Sequence, residues 1–523
     1  MADPKSSPGR GGGPLAHLGE WWRGWAASNT LNFEPPSSRG SRRAPPPRPG
    51  EGWVWPALAL LLALLALARP IDHDESQYVA AAVLTAQGLL PYRDYAYLQA
   101  PLQPFLFAPV AALAGTLAWP ALRIVNALLG AVAIRCVYGA AREGAGRRPA
   151  LAAAVLFACT DILLFSIGTA RNDALPAACL AGALWLAVWA EAGRGSRMTA
   201  IAAGLLLAGA AAAKVSYALP AAAYGGWALW RWRAHRPWLV ALGALPMLLF
   251  TAWTFALSPQ GFVFGVWTFP IEAPLDFYAD RPWKLSLAAK AVDMLKFLAL
   301  GPALLALFAV ARRRPPGLLA VLLIAGAVAA LLPTPTWRQY LLPMLPPLFV
   351  ALAWAWSRSP PDRATRVAAV VFAAAGLAPT TAALVAGGAG MPTAFGEMRS
   401  VRAALDAAGV RGPVATLSPQ FLPLTGRLPD HLLATGPFVF RSRLRPDGWE
   451  RLHLVPRNAL NTTPLPDAVL VGGEGKWTAG DDRLDAALAA EAARRSYRET
   501  SVGRWTLYTS APAQVGAQAQ ASD

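Results

Sequence analysis

Residues 71–103, IDHDESQYVAAAVLTAQGLLPYRDYAYLQAPLQ, hold the side chains best placed to do chemistry. Asp72, Asp74 and Glu75 follow closely on the end of a membrane-length apolar run. Acids packed this tightly against a bilayer are costly unless they face water or a substrate, so the stretch reads as an active-site loop. A helix-compatible run with Tyr78 follows, then Gly88, then a Tyr/Asp/Gln/Pro-rich piece ending at Pro104. Asp74 could cap the helix beginning near Glu75, because an Asp before a helix accepts backbone N–H groups. Glu75 could orient a substrate, bind a divalent cation (Mg or Mn), or face water. Asp72 and His73 read as solvated loop residues, a single His being thin support for a metal.

Other charges gather at the same depth. Lys214 and Arg338 lie where apolar runs meet that surface, with Arg93 as a third cation. A lipid phosphate would sit there, and cationic donors stabilise charge on a departing phosphate. The alternative for each is snorkelling to the interface or, for Arg93, ordinary loop charge. Asp173, in Arg171-Asn172-Asp173, starts an apolar run and could be another helix cap. Asp161 falls inside the run 149–169, where an ionisable residue needs a partner; Arg135 or Arg123 could supply it.

The elements that must position these groups are apolar. The chain has 523 residues, 55% hydrophobic and 15% charged, with long Ala/Leu/Val runs between short Arg-rich patches. Its mean hydropathy is +0.36. This composition indicates a polytopic α-helical membrane protein. The net charge of +17 sits in the gaps between apolar runs, which is a membrane-orientation pattern and not a nucleic-acid surface. Cys136, Cys159 and Cys179 all lie in apolar runs, so neither a disulfide framework nor a Cys-based zinc site is expected.

If every basic patch is cytoplasmic, an even number of spans separates neighbours. From Arg148 onward, spans fall near 149–169, 173–191, 198–213, 217–231, 237–257, 291–311, 317–333, 340–356 and 366–388. Before it lie 53–69, 101–118 and 120–141, and parity is kept if the Pro-punctuated 101–118 (Pro101, Pro104, Pro109) lies on or dips into the outer surface. The expectation is about eleven transmembrane helices. The same count sets Asp74, Asp173, Lys214, Glu272, Asp276 and Arg338 on one, extracytoplasmic, side. The expected organisation is a disordered cytoplasmic tail (1–50, with Trp21, Trp22 and Trp25), a transmembrane domain (51–392, first loop 70–119) and an extracytoplasmic α/β domain (393–523). In the last, 401–409 and 481–497 read as amphipathic helices, and 413–418, 467–473 and 503–510 as strands. The loop 258–290, rich in Phe and Trp, could cover the site or belong to an aromatic belt.

Several short motifs, in order, resemble the GT-C superfamily of integral-membrane glycosyltransferases, on the branch of protein O-mannosyltransferases and the lipid A aminoarabinose transferase. Asp74-Glu75-Ser76-Gln77-Tyr78 is similar to the Asp-Glu-x-x-aromatic motif opening that family's first extracytoplasmic loop. Tyr95 to Leu102, including Gln99, stands where the family has a second, Pro-containing loop motif. Leu122-Arg123 through Leu175 follows its Arg-led helix, basic turn and Asp-led helix, and Lys214 and Arg338 match later positions. The sequence departs from the pattern at Gln99-Ala100-Pro101, in place of His-Pro-Pro, and at Gln339, which separates Arg338 from Tyr340.

The resemblance covers about 54–350. It implies an inverting transfer of a sugar from a polyprenyl-phosphate donor to an envelope glycolipid, polysaccharide or protein acceptor at the outer face of a bacterial inner membrane. Asp74 would be the general base and Glu75 its companion. Tyr78, Arg93, Asp94, Gln99, Arg171, Lys214, Arg338 and Tyr340 would line the substrate site. Asp173 would position substrate or, with Glu75, a divalent cation. Membrane lipid is an expected partner and nucleic acid is not. Two other classes remain: a lipid transporter or flippase, requiring functional charge near mid-membrane and repeat symmetry, and a membrane scaffold, which would tolerate Asp74→Asn.

Overall fold

The computed structural model of the protein describes residues 51–386, 390–442, 448–475 and 480–510; the tail 1–50 with its Trp cluster lies outside these. Among the described residues five helices are long and apolar enough to cross a membrane: Leu102–Ala145, Ala174–Glu191, Pro237–Leu257, Arg338–Arg358 and Arg363–Val385. Two bent pairs, Arg147–Ala158 with Asp161–Ile167 (63°) and Leu287–Ala299 with Ala303–Ala311 (100°), raise the number to seven. Trp53–Ala68, Arg197–Ala213 and Gly317–Leu331 are apolar but shorter. The expected eleven is therefore not met by full-length helices. At 1.5 Å per residue, a helix of seventeen residues extends only about 25 Å against a core of about 30 Å.

The elements that carry the site are α1 (Glu51–Ala68), α2 (Glu75–Ala86), α3 (Leu102–Ala114), α4 (Ala118–Ala145), α5 (Arg147–Ala158), α6 (Asp161–Ile167), α7 (Ala174–Glu191), α8 (Arg197–Ala213) and α9 (Pro237–Leu257). The break between α5 and α6 occurs at Cys159-Thr160 and opens α6 with the buried Asp161. A short 3-10 turn, Gly115–Leu117, joins α3 to α4. The α3 stretch, expected at the outer surface, packs through Phe107 and Ala111 into the cluster that holds Val79 and Val83 of α2. α8 and α9 cross closely because each presents glycine to the other's backbone. A Cβ on Gly204 would strike the Val240 carbonyl, and one on Gly243 the Ile201 carbonyl. Small residues at such crossings are what allow helices to pack where solvent gives no drive.

After Met391–Ala407 (α10), a four-stranded sheet forms from β1 (Val414–Ala415), β2 (Ala468–Val471), β3 (Arg498–Val502) and β4 (Trp505–Thr509), in the order β1-β2-β4-β3. β1 runs parallel to β2, and the other pairs are antiparallel. Side chains alternate along β2. Ala468 and Leu470 join the cluster of Val401 and Leu405 from α10, whereas Val469 and Val471 join that of Leu484 and Leu488 from α11 (Asp482–Arg494). The first of these clusters also contains Ile71, Val79, Trp119 and Leu122. The sheet thus shares its core with the first loop and α4. Three of the strands coincide with apolar stretches of the sequence; β3, RETSV, is almost wholly exposed and lacks the alternation that marks a half-buried strand.

The α8–α9 crossing yields a direct test. Gly243→Leu forces the backbones apart and is expected to destabilise by about 1–3 kcal/mol or more, read as a lower thermal midpoint in detergent. Gly225→Ala, where a Cβ meets open space, should leave the midpoint unchanged or slightly raised.

Candidate active site

The loop begins where α1 ends. Asp72 Oδ1 accepts the Asp74 backbone N–H at 2.9 Å, and the Glu75 N–H closes a turn onto the Asp72 carbonyl at 3.1 Å. Asp74 makes no side-chain cap bond; the first two helical N–H groups, of Glu75 and Ser76, are met by the carbonyls of Asp72 and His73. Its carboxylate turns instead to two basic neighbours: His73 Nε2 at 3.0 Å from Oδ1, and Arg171, whose Nη1 pairs with Oδ2. Burial disfavours ionising Asp74, but Arg171 and His73 outweigh it and hold the carboxyl below the usual carboxylate range. The Asp74 side chain keeps 19% exposure.

Glu75 takes the opposite course. It is fully buried, and Arg123 forks onto both of its oxygens. Oε1 also accepts Trp119 Nε1–H at 3.1 Å and the Ala170 N–H at 2.8 Å, and Oε2 accepts the Asp72 N–H at 3.2 Å. Burial opposes its charge, yet the Arg123 pair and these bonds keep it ionised. Expected as the base's companion or a cation ligand, Glu75 is an anchor whose oxygens already meet donors, so it does not face substrate. Arg123, expected as a partner for Asp161, is consumed here, and also donates to the carbonyls of Ala66 and Arg69.

Arg171 is the hub. Its guanidinium reaches Asp74, Asp72 at 3.4 Å and Asp173 at 3.2 Å. The turn that carries it is fixed by Asn126 of α4, whose Nδ2 donates to the carbonyls of Thr169 and Arg171, and by Gln103 Nε2, which donates to the Arg171 carbonyl at 3.1 Å. Asp173 passes the network on to Lys214, the residue closing α8, and the Lys214 ammonium stands 5.4 Å from the Tyr340 ring centre. Both Asp173 oxygens therefore face cations, not an open metal position. A second branch runs over Phe165 of α6. Arg338 lies 3.4 Å from its ring centre, Arg171 4.6 Å and Arg69 5.3 Å. Arg338 pairs with Asp161 at 3.0 Å, so the partner of that deep acid comes from 177 residues further along the chain and not from Arg123 or Arg135. Arg135 rests instead among Trp55, Tyr138 and Trp185.

Asp74, Arg171, Asp173, Lys214, Arg338 and Tyr340 are thus brought into one network. Gln99 borders it, accepting Asn172 Nδ2–H at 2.9 Å, and Tyr78 is buried beside Tyr92, Tyr95 and Tyr97. Arg93 and Asp94 are not brought in: they pair with each other in the loop, and Asp94 accepts the Leu90 N–H at 2.7 Å. Glu272, expected on this side, is exposed on Phe269–Phe277. That segment belongs to a strap, 259–277, packed on the loop: Phe264 and Phe269 cluster with Ala96 and Leu98. The sequence reading missed Arg69, Phe165 and the engagement of Asp72 and His73. The position of Arg69, at the very end of the first apolar run, is the signal that could have found it. Asp72, His73 and Asp74 bring three ligand-type atoms within 4.8 Å of one another. Arg171 already bridges the two acids, so an ion there would have to displace a guanidinium.

The two buried arrangements separate experimentally. Glu75→Gln leaves Arg123 buried without its counter-charge and should destabilise by about 3–5 kcal/mol, seen as loss of monodisperse protein in detergent. Asp94→Asn, in a partly exposed pair, should change stability by less than about 1 kcal/mol.

Residues 98–254 match the family profile of dolichyl-phosphate-mannose-protein mannosyltransferase. Among solved structures, ArnT from Cupriavidus metallidurans in the apo state is similar, with 18% identity and a TM-score of 0.57, covering 87% of this chain and 97% of that one. The same protein bound to undecaprenyl phosphate matches with 17% identity and a TM-score of 0.56, covering 90% and 100%. No curated protein sequence matches the chain significantly. In fold over most of its length, and in sequence across residues 98–254, this chain resembles the GT-C integral-membrane glycosyltransferases.

Proposed function

We propose that the protein is an inverting glycosyltransferase that moves a sugar from a polyprenyl-phosphate donor to an envelope glycolipid, polysaccharide or protein acceptor at the extracytoplasmic face of a bacterial inner membrane. The observation that carries this reading is a partly exposed carboxylate joined, through Arg171 and Phe165, to a cluster of cations at the ends of apolar helices. A hydroxyl is a poor nucleophile until a base takes its proton. Asp74 is ionised well below neutral pH and fits that role. As the acceptor oxygen bonds the anomeric carbon, the bond to phosphate breaks and its electron pair leaves with the phosphate. A polyprenyl phosphate departs without strong acid help, so a single displacement with inversion needs one carboxylate, not the two of a hydrolase.

The leaving phosphate needs cations. All three cations pair with carboxylates, but the Arg171 and Lys214 side chains are only 4% and 8% exposed, whereas Arg338, on Asp161, keeps 28% exposure. Arg338, which shares the Phe165 ring with Arg69, is the group assigned to the phosphate, and Arg171 and Lys214 offset the charge of Asp74 and Asp173. That ArnT binds undecaprenyl phosphate in the same fold supports a lipid-linked donor here.

The test is mass spectrometry of envelope glycolipids and glycoproteins from a deletion strain complemented with variants at matched membrane level. Wild type should restore one sugar mass. Asp74→Asn should lower the transfer rate by about 10²–10⁴-fold and leave that mass missing. Arg338→Gln should restore the product only at donor levels raised about tenfold or more. Full restoration by Asp74→Asn would overturn the assignment of Asp74 as the base.

A further inference from the structure

His73 is placed to do more than line the loop. Its Nε2 lies 3.0 Å from Asp74 Oδ1, and its Nδ1 faces Asp72 Oδ1 at 3.9 Å. The ring stands 6.1 Å from that of Phe438, in the helical turn Pro437–Arg441 that the C-terminal region lays over the loop. Gly436, at the head of that turn, has φ +58°, and a Cβ there would strike Ser76 of α2, so the turn is seated on the loop. The charged groups around His73 are Asp72 and Asp74 of its own loop, Arg441 of the turn and Glu474 after β2, which pairs with Arg441 at 3.3 Å. Asp74 is hemmed by Arg171 on one oxygen and His73 on the other. Arg171 cannot give up or accept a proton at working pH; an imidazole can do both.

We propose that His73 is a positioning residue acting through Asp74: it takes from Asp74 the proton that Asp74 removes from the acceptor and releases it toward the face covered by the C-terminal turn. The inference rests on the transferase reading above. In the step, the acceptor O–H bond breaks and its proton goes to Asp74 Oδ1. The acceptor oxygen bonds the anomeric carbon, and the phosphate leaves with the electron pair of its broken bond. The neutral ring starts with its proton on Nδ1, so the proton passes from Asp74 Oδ1 to the lone pair of His73 Nε2. The imidazolium yields its Nδ1 proton to water, which leaves Asp74 ionised and the neutral ring protonated on Nε2. Proton exchange of the partly exposed ring with water then returns it to the Nδ1–H form for the next turnover. The relay needs His73 neutral before each turnover. Burial lowers the imidazole's affinity for a proton, but Asp74 and Asp72 outweigh both burial and Arg441 and raise it above its ordinary value. Activity therefore falls as pH drops through that raised value.

The experiment adds purified full-length protein to membranes of the deletion strain, which supply the native donor and acceptor, and follows the product sugar mass from pH 5.5 to 8.5, a window of about one to two units around the ordinary His value. Wild type should show an acidic limb. His73→Gln should be about tenfold slower at pH 8, should lose that limb, and should regain rate with added imidazole at alkaline pH only. A His73→Gln enzyme with wild-type rate and limb overturns the relay. So does a loss that is uniform across pH and untouched by imidazole, which would make His73 a packing residue. An active Asp74→Asn beside a dead His73→Gln would make His73 the base itself and also overturn the relay. No product with wild type at any pH would instead sink the transferase reading on which the relay stands.

Discussion

The structure around the loop depends on one buried ion pair, Glu75 with Arg123. An unpaired charge in a dry interior is strongly destabilising. Arg123 on α4 and Glu75 at the start of α2 are therefore bound to meet, and Trp119 and the Ala170 N–H complete the carboxylate's shell. Because adjacent residues at a helix start point in different directions, fixing Glu75 inward leaves Asp74 facing the other way. Asp74 then lies against the turn 169–173, which the same α4 helix holds through Asn126. The fully buried acid and the partly exposed one are neighbours in sequence, and the first sets the direction of the second.

From that anchor the rest follows by charge compensation. Arg171 alone meets three acids and offsets one of their charges; Lys214, which α8 delivers at its end, offsets a second. The depth of α8 is set by its close crossing with α9 at Gly204 and Gly243. The Phe165 ring lies within 5.3 Å of the guanidiniums of Arg69, Arg171 and Arg338, and its π-system lets them gather where bare cations would repel. The C-terminal sheet adds its own constraint, because its core is continuous with Ile71, Val79 and Trp119. It bears on the loop directly and cannot separate from it without exposing apolar surface.

The apolar runs and basic patches placed most helices within a few residues, because a span must satisfy its backbone internally and the pattern is long. The grouping of Asp74, Asp173, Lys214 and Arg338 on one side was legible for the same reason, since parity of crossings constrains ends. Short helices such as Gly317–Leu331 and the bent pairs were counted as full spans, because hydropathy carries no record of length across a break. Pairings were the illegible part. Glu75 and Asp74 look alike in sequence, and only tertiary placement of Arg123 and Arg171 tells the buried anchor from the partly exposed acid. Asp161 and Arg338 are far apart in the chain, and nothing local links them. His73 read as a solvated residue because its neighbour Phe438 comes from the C-terminal region.

In a lipid-linked sugar transfer of the kind proposed, donor phosphate meets the cation cluster beside Asp74. The most direct measurement is a cryo-EM structure of the protein in nanodiscs with undecaprenyl phosphate. The account predicts phosphate density against Arg338 and Arg69, on the side of Phe165 nearest Arg171. Phosphate density at the opposite helix ends, near Glu191 and His235, with the Phe165 cluster empty at saturating lipid, would contradict it.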